Sequence, residues 1–435
     1  MATLSIPLYA FMAMNSGFNF LFQAHYSGLA IYLGQMMELS NVFLNLALYI
    51  WVGMLMKQTR VVDLFLNIVR PWKFSPEVLT YIILLAAAIP TAYTGASGIF
   101  VIAAGAVIYK EVYASGARRQ YALAATAMSG SLGVVLSPCL LVVVIAALNK
   151  EVTTSLLYDK GIQVFLLSST MFLIVSLIIA KDKFKLAKPS IALPESARAF
   201  VPVSPYIVIT LLVIVVYRFV LDTKMDEFTA PMILPFIMLA IVWFDKIRRE
   251  PAAEVAPEIQ ERRIGFEEGV RVATNDTIGH IGALIMLMAL SVSVGGVIER
   301  SGIMSSIPHS FDNIYLAATI LLGLLVFVGM VMDAFGAVIL VSATVAPVAY
   351  NNGINPIHFW MIVLTAFELG YLSPPVALNQ LLTRQVVGEK EMDEADAEVR
   401  HLSFYYKYER WVLPVIVMAP VLLIVAYLPL FFYAK

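Results

Sequence analysis

Leu132-Gly-Val-Val-Leu-Ser-Pro138 and Leu369-Gly-Tyr-Leu-Ser-Pro-Pro375 repeat one pattern inside two otherwise apolar segments. Each puts Gly, Ser and Pro where a membrane helix needs continuous hydrogen bonds, so carbonyls and amides lose their intrahelical partners at bilayer depth. Such groups need a ligand, water or packed protein around them. Short, Gly/Pro-interrupted segments at corresponding positions of two halves are the sequence pointer to a transporter's midplane binding site. The recurrence therefore implies a duplicated transporter.

Composition sets the same class. The chain of 435 residues is 60% hydrophobic and 14% charged, against about 45 to 50% and about 25% for soluble domains, so it reads as an all-α polytopic membrane protein. The net charge of -1 leaves no basic face for a nucleic acid. A single cysteine, Cys139, excludes an internal disulfide framework and reads as a small packing residue. No basic segment precedes the first apolar run, so no cleavable signal peptide is expected.

Apolar runs of spanning length, about 20 residues each, fall near 17–36, 39–56, 117–149, 163–180, 205–222, 229–245, 278–298, 356–387 and 411–433. The two that hold the Leu-Gly/Ser-Pro patterns are expected to be broken helices, two half-helices joined by an unwound piece. Residues 78–113 and 312–351 are each too long for one span. Each is interrupted near its middle, by Pro90 with Thr94-Gly-Ala-Ser-Gly98 and by Met332-Asp-Ala-Phe-Gly336. Their halves, about 13 to 18 residues, are short for full crossings, and predict re-entrant helical hairpins with the small polar cluster at the tip.

With hairpins that return to the side they came from, one side holds all 29 Lys and Arg residues except Lys150, Lys160, Arg218, Lys224, Arg300 and Lys435. That side is the cytoplasm by the positive-inside rule. Full double crossings would give the same sides, so segment length carries the re-entrant reading. The same parity sends 39–56 inward and its counterpart 278–298 outward, making the repeats inverted. Their internal order agrees: Val52-Gly against Val294-Gly, then a hairpin, then Ser115-Gly116 against Asn352-Gly353, then a broken helix. Arg218 and Arg300, near external ends, read as interfacial anchors.

The expected organisation is N-terminal scaffold helices (1–77), hairpin and broken helix of repeat one (78–150), scaffold helices (151–245), a charged cytoplasmic linker with an interfacial helix at its end (246–276), a scaffold or arm helix (277–311), hairpin and broken helix of repeat two (312–387), and a cytoplasmic connection with a C-terminal span (388–435). The interfacial helix is predicted from Ile264, Phe266, Val270 and Val272 at helical spacing, with Glu267, Glu268 and Arg271 opposite.

The order of a Gly-Ala-Ser-Gly tip, a Ser129-Gly-Ser-Leu-Gly133 to Ser137-Pro138 break, a Gly329-Met-Val-Met-Asp333 tip and a Leu369 to Asn379 break resembles the large membrane subunit of tripartite ATP-independent periplasmic (TRAP) transporters. The match runs over about residues 40 to 390, and Pro-Pro-Val-x-Leu-Asn is its most specific part. The family's first tip more often reads Gly-Ser-Ser and its first break Pro-Pro-Ser, where this chain has Gly-Ala-Ser and Ser-Pro-Cys. The resemblance implies sodium-coupled uptake of a small organic anion, usually a carboxylate, by an elevator motion in the bacterial inner membrane. It also implies two partners, a small four-helix membrane subunit and a periplasmic substrate-binding protein. No cofactor is expected beyond sodium as the coupling ion, and no G-x-x-x-x-G-K-[ST] phosphate loop is present.

Sodium takes oxygens from unwound carbonyls and half-helix C-termini, whereas anions favour half-helix N-termini. Two related sodium sites are expected. One joins Gly95, Ala96, Ser97 and Gly98 to the carbonyls of Gly130 to Gly133; the other joins Asp333 and Gly336 to Gly370 and Ser373. Substrate is expected between them, against Ser97, Ser137, Ser373, Pro374 and Asn379. Each has a plainer role: tight packing for the glycines and serines, helix capping for Asp333, an interhelical hydrogen bond for Asn379, and a structural hydrogen bond to freed amides for Glu368.

Three other functions compete. Gly95-Ala-Ser-Gly98 matches the Gly-x-Ser-Gly of rhomboid-type intramembrane proteases, with His280 or His358 as the base, but that leaves the second tip, the repeat and both breaks unexplained. A stand-alone anion:sodium symporter or cation antiporter would share the hairpin architecture. A channel fits poorly with paired re-entrant tips.

Overall fold

The computed structural model describes residues 10, 14, 17, 18, 21, 22, 40–95, 97–180, 187–226, 229–247, 265–300 and 311–433. Most of the apolar run at 17–36, the 181–186 lysines, most of the 246–276 linker and Ala96 lie outside them. Every regular element among the described residues is a helix.

The α-helices of nine or more residues among them are, in chain order, α1 (Ser40–Lys57), α2 (Val61–Val69), α3 (Pro76–Thr94), α4 (Ser97–Ala114), α5 (Arg119–Met128), α6 (Leu140–Leu148), α7 (Thr154–Ile179), α8 (Pro189–Phe200), α9 (Ser204–Phe219), α10 (Ala230–Ile247), α11 (Phe266–Arg300), α12 (Ile314–Val331), α13 (Ala334–Asn351), α14 (Pro356–Leu372), α15 (Leu378–Val387), α16 (Glu389–Glu398) and α17 (Glu409–Tyr427). Among the described residues seven helices are long and apolar enough to cross a membrane, or eight with the bent pair formed by Arg119–Val135 and Leu140–Leu148 taken as one. The chain is an all-α, multi-pass membrane protein.

The hairpins and breaks fall where the sequence put them. α3 and α4 turn back on each other between Thr94 and Ser97, and α12 and α13 at Met332 and Asp333. Pro90 does not end α3, which continues through it to Thr94. The first span breaks between Met128 and Leu140, with a 46° bend, and the second between Leu372 and Leu378. Both breaks hold a cis peptide, Ser137-Pro138 and Pro374-Pro375. Each hairpin ends on a left-handed glycine, Gly116 (φ 101°) and Gly353 (φ 81°), at the two positions matched in the repeats. A residue with a Cβ is disfavoured there, whereas glycine is not.

Three features differ from the expectation. The hairpin arms are 18 or 19 residues long, so arm length does not separate re-entry from crossing; contact of each tip region with the interior of a broken span is what favours re-entry. From Phe266 the expected interfacial helix runs without interruption into the expected span at 278–298, as the single helix α11. Nothing between Asp276 and Ile278 is a helix breaker, so amphipathic and apolar stretches join without a turn. Finally, α2 and α8 are short helices, of 9 and 12 residues, outside the apolar runs of spanning length.

The chain groups into two compact units, one of Met1–Phe43, Pro76–Lys183 and Ala283–Lys435, the other of Leu44–Ser75 and Phe184–Gly282. In the smaller unit α8 packs on α2, with Ser196 Oγ donating to the Ile68 carbonyl at 2.7 Å. Trp51 Nε1 donates to Thr274 Oγ1 at 3.1 Å, joining α1 to α11. α9 there exposes Val208, Leu211, Leu212, Val215 and Phe219, an apolar surface suited to lipid or to another membrane subunit.

The larger unit holds both hairpins and both broken spans. Its core is the first half of each broken span. Gln120 to Met128 of α5 are all buried, and so are His358 to Leu372 of α14. A helix buried on every face needs neighbours all round. α14 finds them in α12, α13, α17 and α7, and α5 in α4, α15 and α17. The second halves cross over: α15 of repeat two packs on α4 of hairpin one, and α6 of repeat one packs on α13 of hairpin two. This reciprocal exchange is what two halves related by a pseudo-two-fold axis require.

Candidate functional site

Breaking a helix frees carbonyls at its end and amides at the next start, and the first break satisfies its carbonyls one by one. The Thr126 carbonyl accepts from the amide and hydroxyl of Ser129, at 3.2 and 2.8 Å. The Met128 carbonyl accepts from the Ser131 amide at 3.0 Å. The Ala127 carbonyl accepts from Asn379 Nδ2 at 3.2 Å, across 252 positions of sequence. The second break is simpler: the Ser373 amide donates to the Gly370 carbonyl at 3.1 Å.

Each hairpin lies against the break of its own repeat. At the first, the Ser97 carbonyl sits so close to Gly130 that a Cβ added there would stand 2.0 Å from it. Gly95 (φ 63°) faces the amides of Leu140 and Leu141, where a Cβ would stand 3.1 and 2.8 Å away. Gly133 abuts the Ala88 carbonyl in the same way, at 2.3 Å. At the second, a Cβ on Gly370 would stand 2.5 Å from the Gly329 carbonyl carbon and 2.8 Å from the Met330 amide. Small residues are thus required at both contacts so that backbone can approach backbone.

Asn379 joins the two repeats. Besides capping α5, it accepts a 3.2 Å hydrogen bond from Ser97 Oγ, and both residues are buried. Gly98 is packed against Leu382 one turn further along α15. Asp333 takes the capping geometry, accepting from the Phe335 and Gly336 amides at 3.0 and 3.4 Å at the start of α13. Ser373 is buried, whereas Ser137, Pro374 and Pro375 are exposed. The first group brought together is therefore Gly95, Ser97, Gly98, Gly130, Gly133 and Asn379. In the second, Gly370 meets the last turn of α12, while Asp333 and Gly336 open the next helix and Ser373 closes α14. Ala96 lies outside the described residues.

The serine-protease alternative finds no support in this geometry. The Ser97 hydroxyl is engaged by Asn379. His358 is occupied elsewhere, between the Tyr433 hydroxyl at 2.5 Å and the Val425 carbonyl at 2.7 Å. A cavity of about 560 Å³ between α7, α14 and α17 is lined by Lys160, Leu167, His358, Val425 and Phe432 among others. It is mostly apolar and contains none of the break or tip residues.

Sequence reasoning passed over the polar cluster at the base of hairpin one. Arg118 holds the buried Glu409 with two bonds, Nη2 to Oε1 at 2.6 Å and Nε to Oε2 at 2.9 Å. Arg119 meets Glu391, Glu394 and Glu398, and Gln120 donates to Asp396 at 2.8 Å. The connection at 388–410 is therefore folded against α5. The signal was available in the alternation of acids along α16 with Arg118-Arg119, but pairing over more than 270 positions cannot be read from spacing.

Residues 1–431 match the family described as "Tripartite ATP-independent periplasmic transporter, DctM component". The chain belongs to this TRAP transporter family. It is similar to the C4-dicarboxylate TRAP transporter large permease protein DctM of Vibrio cholerae, 22% identical over 346 residues, covering 76% of each chain. It also resembles the isethionate TRAP transporter permease protein DctMQ of Oleidesulfovibrio alaskensis, 26% identical over 160 residues, 35% of this chain and 23% of that one. Among solved structures the fold is like that of the YdaH transporter of Alcanivorax borkumensis, with a TM-score of 0.54 at 12% identity, covering 93% of this chain and 88% of the other. As a TRAP large permease subunit the protein is a transporter component.

Proposed function

We propose that this TRAP permease imports a small organic acid across the bacterial inner membrane, driven by a sodium gradient. It receives substrate from a periplasmic binding protein and works beside a small four-helix membrane subunit. The observation that carries the reading is the docking of each hairpin on the break of its own repeat, in two copies of opposite orientation, in a chain of this family. Relatives named for a C4-dicarboxylate and for isethionate share an acidic small molecule as cargo, which sets the class.

Two sodium ions would lie where hairpin meets break. The first would use the Ser97 carbonyl with Gly95, Gly98, Gly130 and Gly133, the second Asp333, Gly336, Gly370 and Ser373. These are hard oxygen donors at half-helix ends, the environment an unsheathed monovalent cation needs. Substrate would first touch the exposed turns at Ser137 and Pro374, beside the amide-rich starts of α6 and α15, where the positive dipole ends favour an anion. Ser97, Ser373 and Asn379, which are buried, would hold tips and breaks in register as substrate closes the site. The larger unit would carry the cargo as one body, in an elevator motion.

The test is reconstitution in liposomes with and without the two partner subunits, with uptake of a panel of carboxylates and sulfonates measured under an imposed sodium gradient. Uptake that needs both partners and sodium supports the reading. Uptake by this chain alone would favour a stand-alone symporter, and uptake indifferent to sodium would remove the ion sites.

A further inference from the structure

The cavity of about 560 Å³ between α7, α14 and α17 shares no residue with the tips and breaks, and its lining changes character along its length. Lys160 and Gln163 in the early turns of α7, Asn355 at the start of α14 and Tyr433 beyond the end of α17 gather at one end. Leu167, Met361 and Val425 line it further along the same three helices. At 1.5 Å per residue, the runs from Lys160 to Leu167 and from Asn355 to Met361 each descend about 10 Å. The cavity is therefore a groove with a polar mouth and an apolar floor.

That mouth belongs at the edge of the bilayer. α7 starts at Thr154 and α14 at Pro356, so both enter the membrane here, on the side that the distribution of Lys and Arg puts outside. Phe431 and Phe432 beside it are 71% and 81% exposed, and the Tyr315 ring lies 5.9 Å from that of Phe431. Exposed aromatic rings of this kind sit at headgroup level.

Charge and shape together select the occupant. Lys160 is exposed and has no acidic partner among the described residues. Asp159, next to it in sequence, stands about 100° round α7 and does not line the groove. Interiors pack to about 0.74 of their volume, so an apolar groove of this size needs filling, and its floor offers water few hydrogen bonds. A small carboxylate would answer Lys160 but leave the floor bare. A helix of another subunit would cover the floor but bury the ammonium unpaired. A lipid brings an apolar chain and an anionic phosphate in the order that the groove presents them.

We propose that this groove is a phospholipid site. One acyl chain lies along the floor against Leu167, Met361 and Val425. The phosphate is held at the mouth by the Lys160 ammonium, whose aliphatic stem runs along the groove wall, and the Gln163 amide donates to it. The lipid completes the packing between α7, α14 and α17, independently of which ion or cargo the carrier uses.

The test adds a phosphatidylglycerol with a photoreactive diazirine midway along one acyl chain to the purified complex of this chain with its small membrane subunit. After illumination, the cross-linked residues are mapped by mass spectrometry. Labelling is expected on α7, α14 and α17 within a turn of Leu167, Met361 and Val425, suppressed by excess unlabelled phosphatidylglycerol and unaffected by any acid of the transport panel. Leu167→Trp, which fills the groove, should abolish that labelling, and Lys160→Glu should weaken it several-fold. Labelling that K160E leaves unchanged marks lipid that merely surrounds the protein, and overturns the site. No labelling of these helices in wild type, as when the small subunit covers the groove, overturns it too, and so does displacement by a small acid. Lys160 is exposed, so K160E decides should L167W fail to assemble.

Discussion

Ser97 Oγ donates to Asn379 Oδ1 at 3.2 Å, linking the tip of the first hairpin to the second half of the second broken span. The same Asn379 amide caps the last carbonyls of α5 through Ala127. One side chain therefore spans both repeats at the depth where helices are interrupted. An amide is suited to this because it donates and accepts at once.

Removing it should be costly. Asn379→Ala leaves the Ser97 hydroxyl and the Ala127 carbonyl unpaired, for which about 1 to 3 kcal/mol is expected. Ser97→Ala removes only one bond and should cost about 1 kcal/mol. The two losses should not add, and a double-mutant cycle on unfolding of the purified complex measures the shortfall. Fully additive losses would mean the bond contributes nothing.

Close approach of tip and break gives a sharper contrast. Gly130→Ala and Gly370→Ala place a Cβ 2.0 Å from the Ser97 carbonyl and 2.5 Å from the Gly329 carbonyl carbon, against backbone that cannot turn aside. Both should abolish uptake by lifting a hairpin off its break. Gly323→Ala on α12, with nothing within 4 Å, should leave uptake near wild type and stabilise the helix by up to about 1 kcal/mol. Equal effects at all three positions would show that packing at the tips is not what matters.

The ion pairs of Arg118 and Arg119 divide by burial. Glu409 has a side-chain exposure of 0% and is held bidentately by Arg118, so Arg118→Ala strands a buried charge and should cost about 3 to 5 kcal/mol. Arg119 has three partners, but all are partly exposed, and such pairs contribute about 1 kcal/mol or less each. Thermal unfolding of the two variants should therefore differ by several degrees, with R118A the lower. High salt should narrow the R119A deficit more than the R118A one.

What was legible in the sequence follows from which signals are local. Gly and Pro interrupt helices wherever they stand, so tips and breaks could be placed from Gly95, Gly133, Asp333 and Gly370 alone. Pro90 misled slightly, because a proline can sit in a membrane helix whose neighbours satisfy the freed carbonyl. α2 and α8 were missed because helices of 9 and 12 residues fall below spanning length. The partnership of Asn379 with Ser97 depends on the hand of the inverted repeats and has no local trace. Asp333 was open between cap and ligand, and its two amide bonds show that it at least caps.

The exposed turns offer a direct probe of the proposed substrate path. Cys139 is the sole cysteine in the sequence and is buried, so the native thiol should react slowly with a bulky maleimide in the folded protein. Ser137→Cys places a thiol two residues away at an exposed position, changing one atom of the side chain. It should label rapidly, and wild type should not. If the turn faces the acid, transported substrate with sodium should slow labelling of Ser137→Cys in the complete complex, while a non-transported acid should not. A rate unaffected by any acid in the panel would place the substrate away from this turn and shift attention to the buried side chains of the tips.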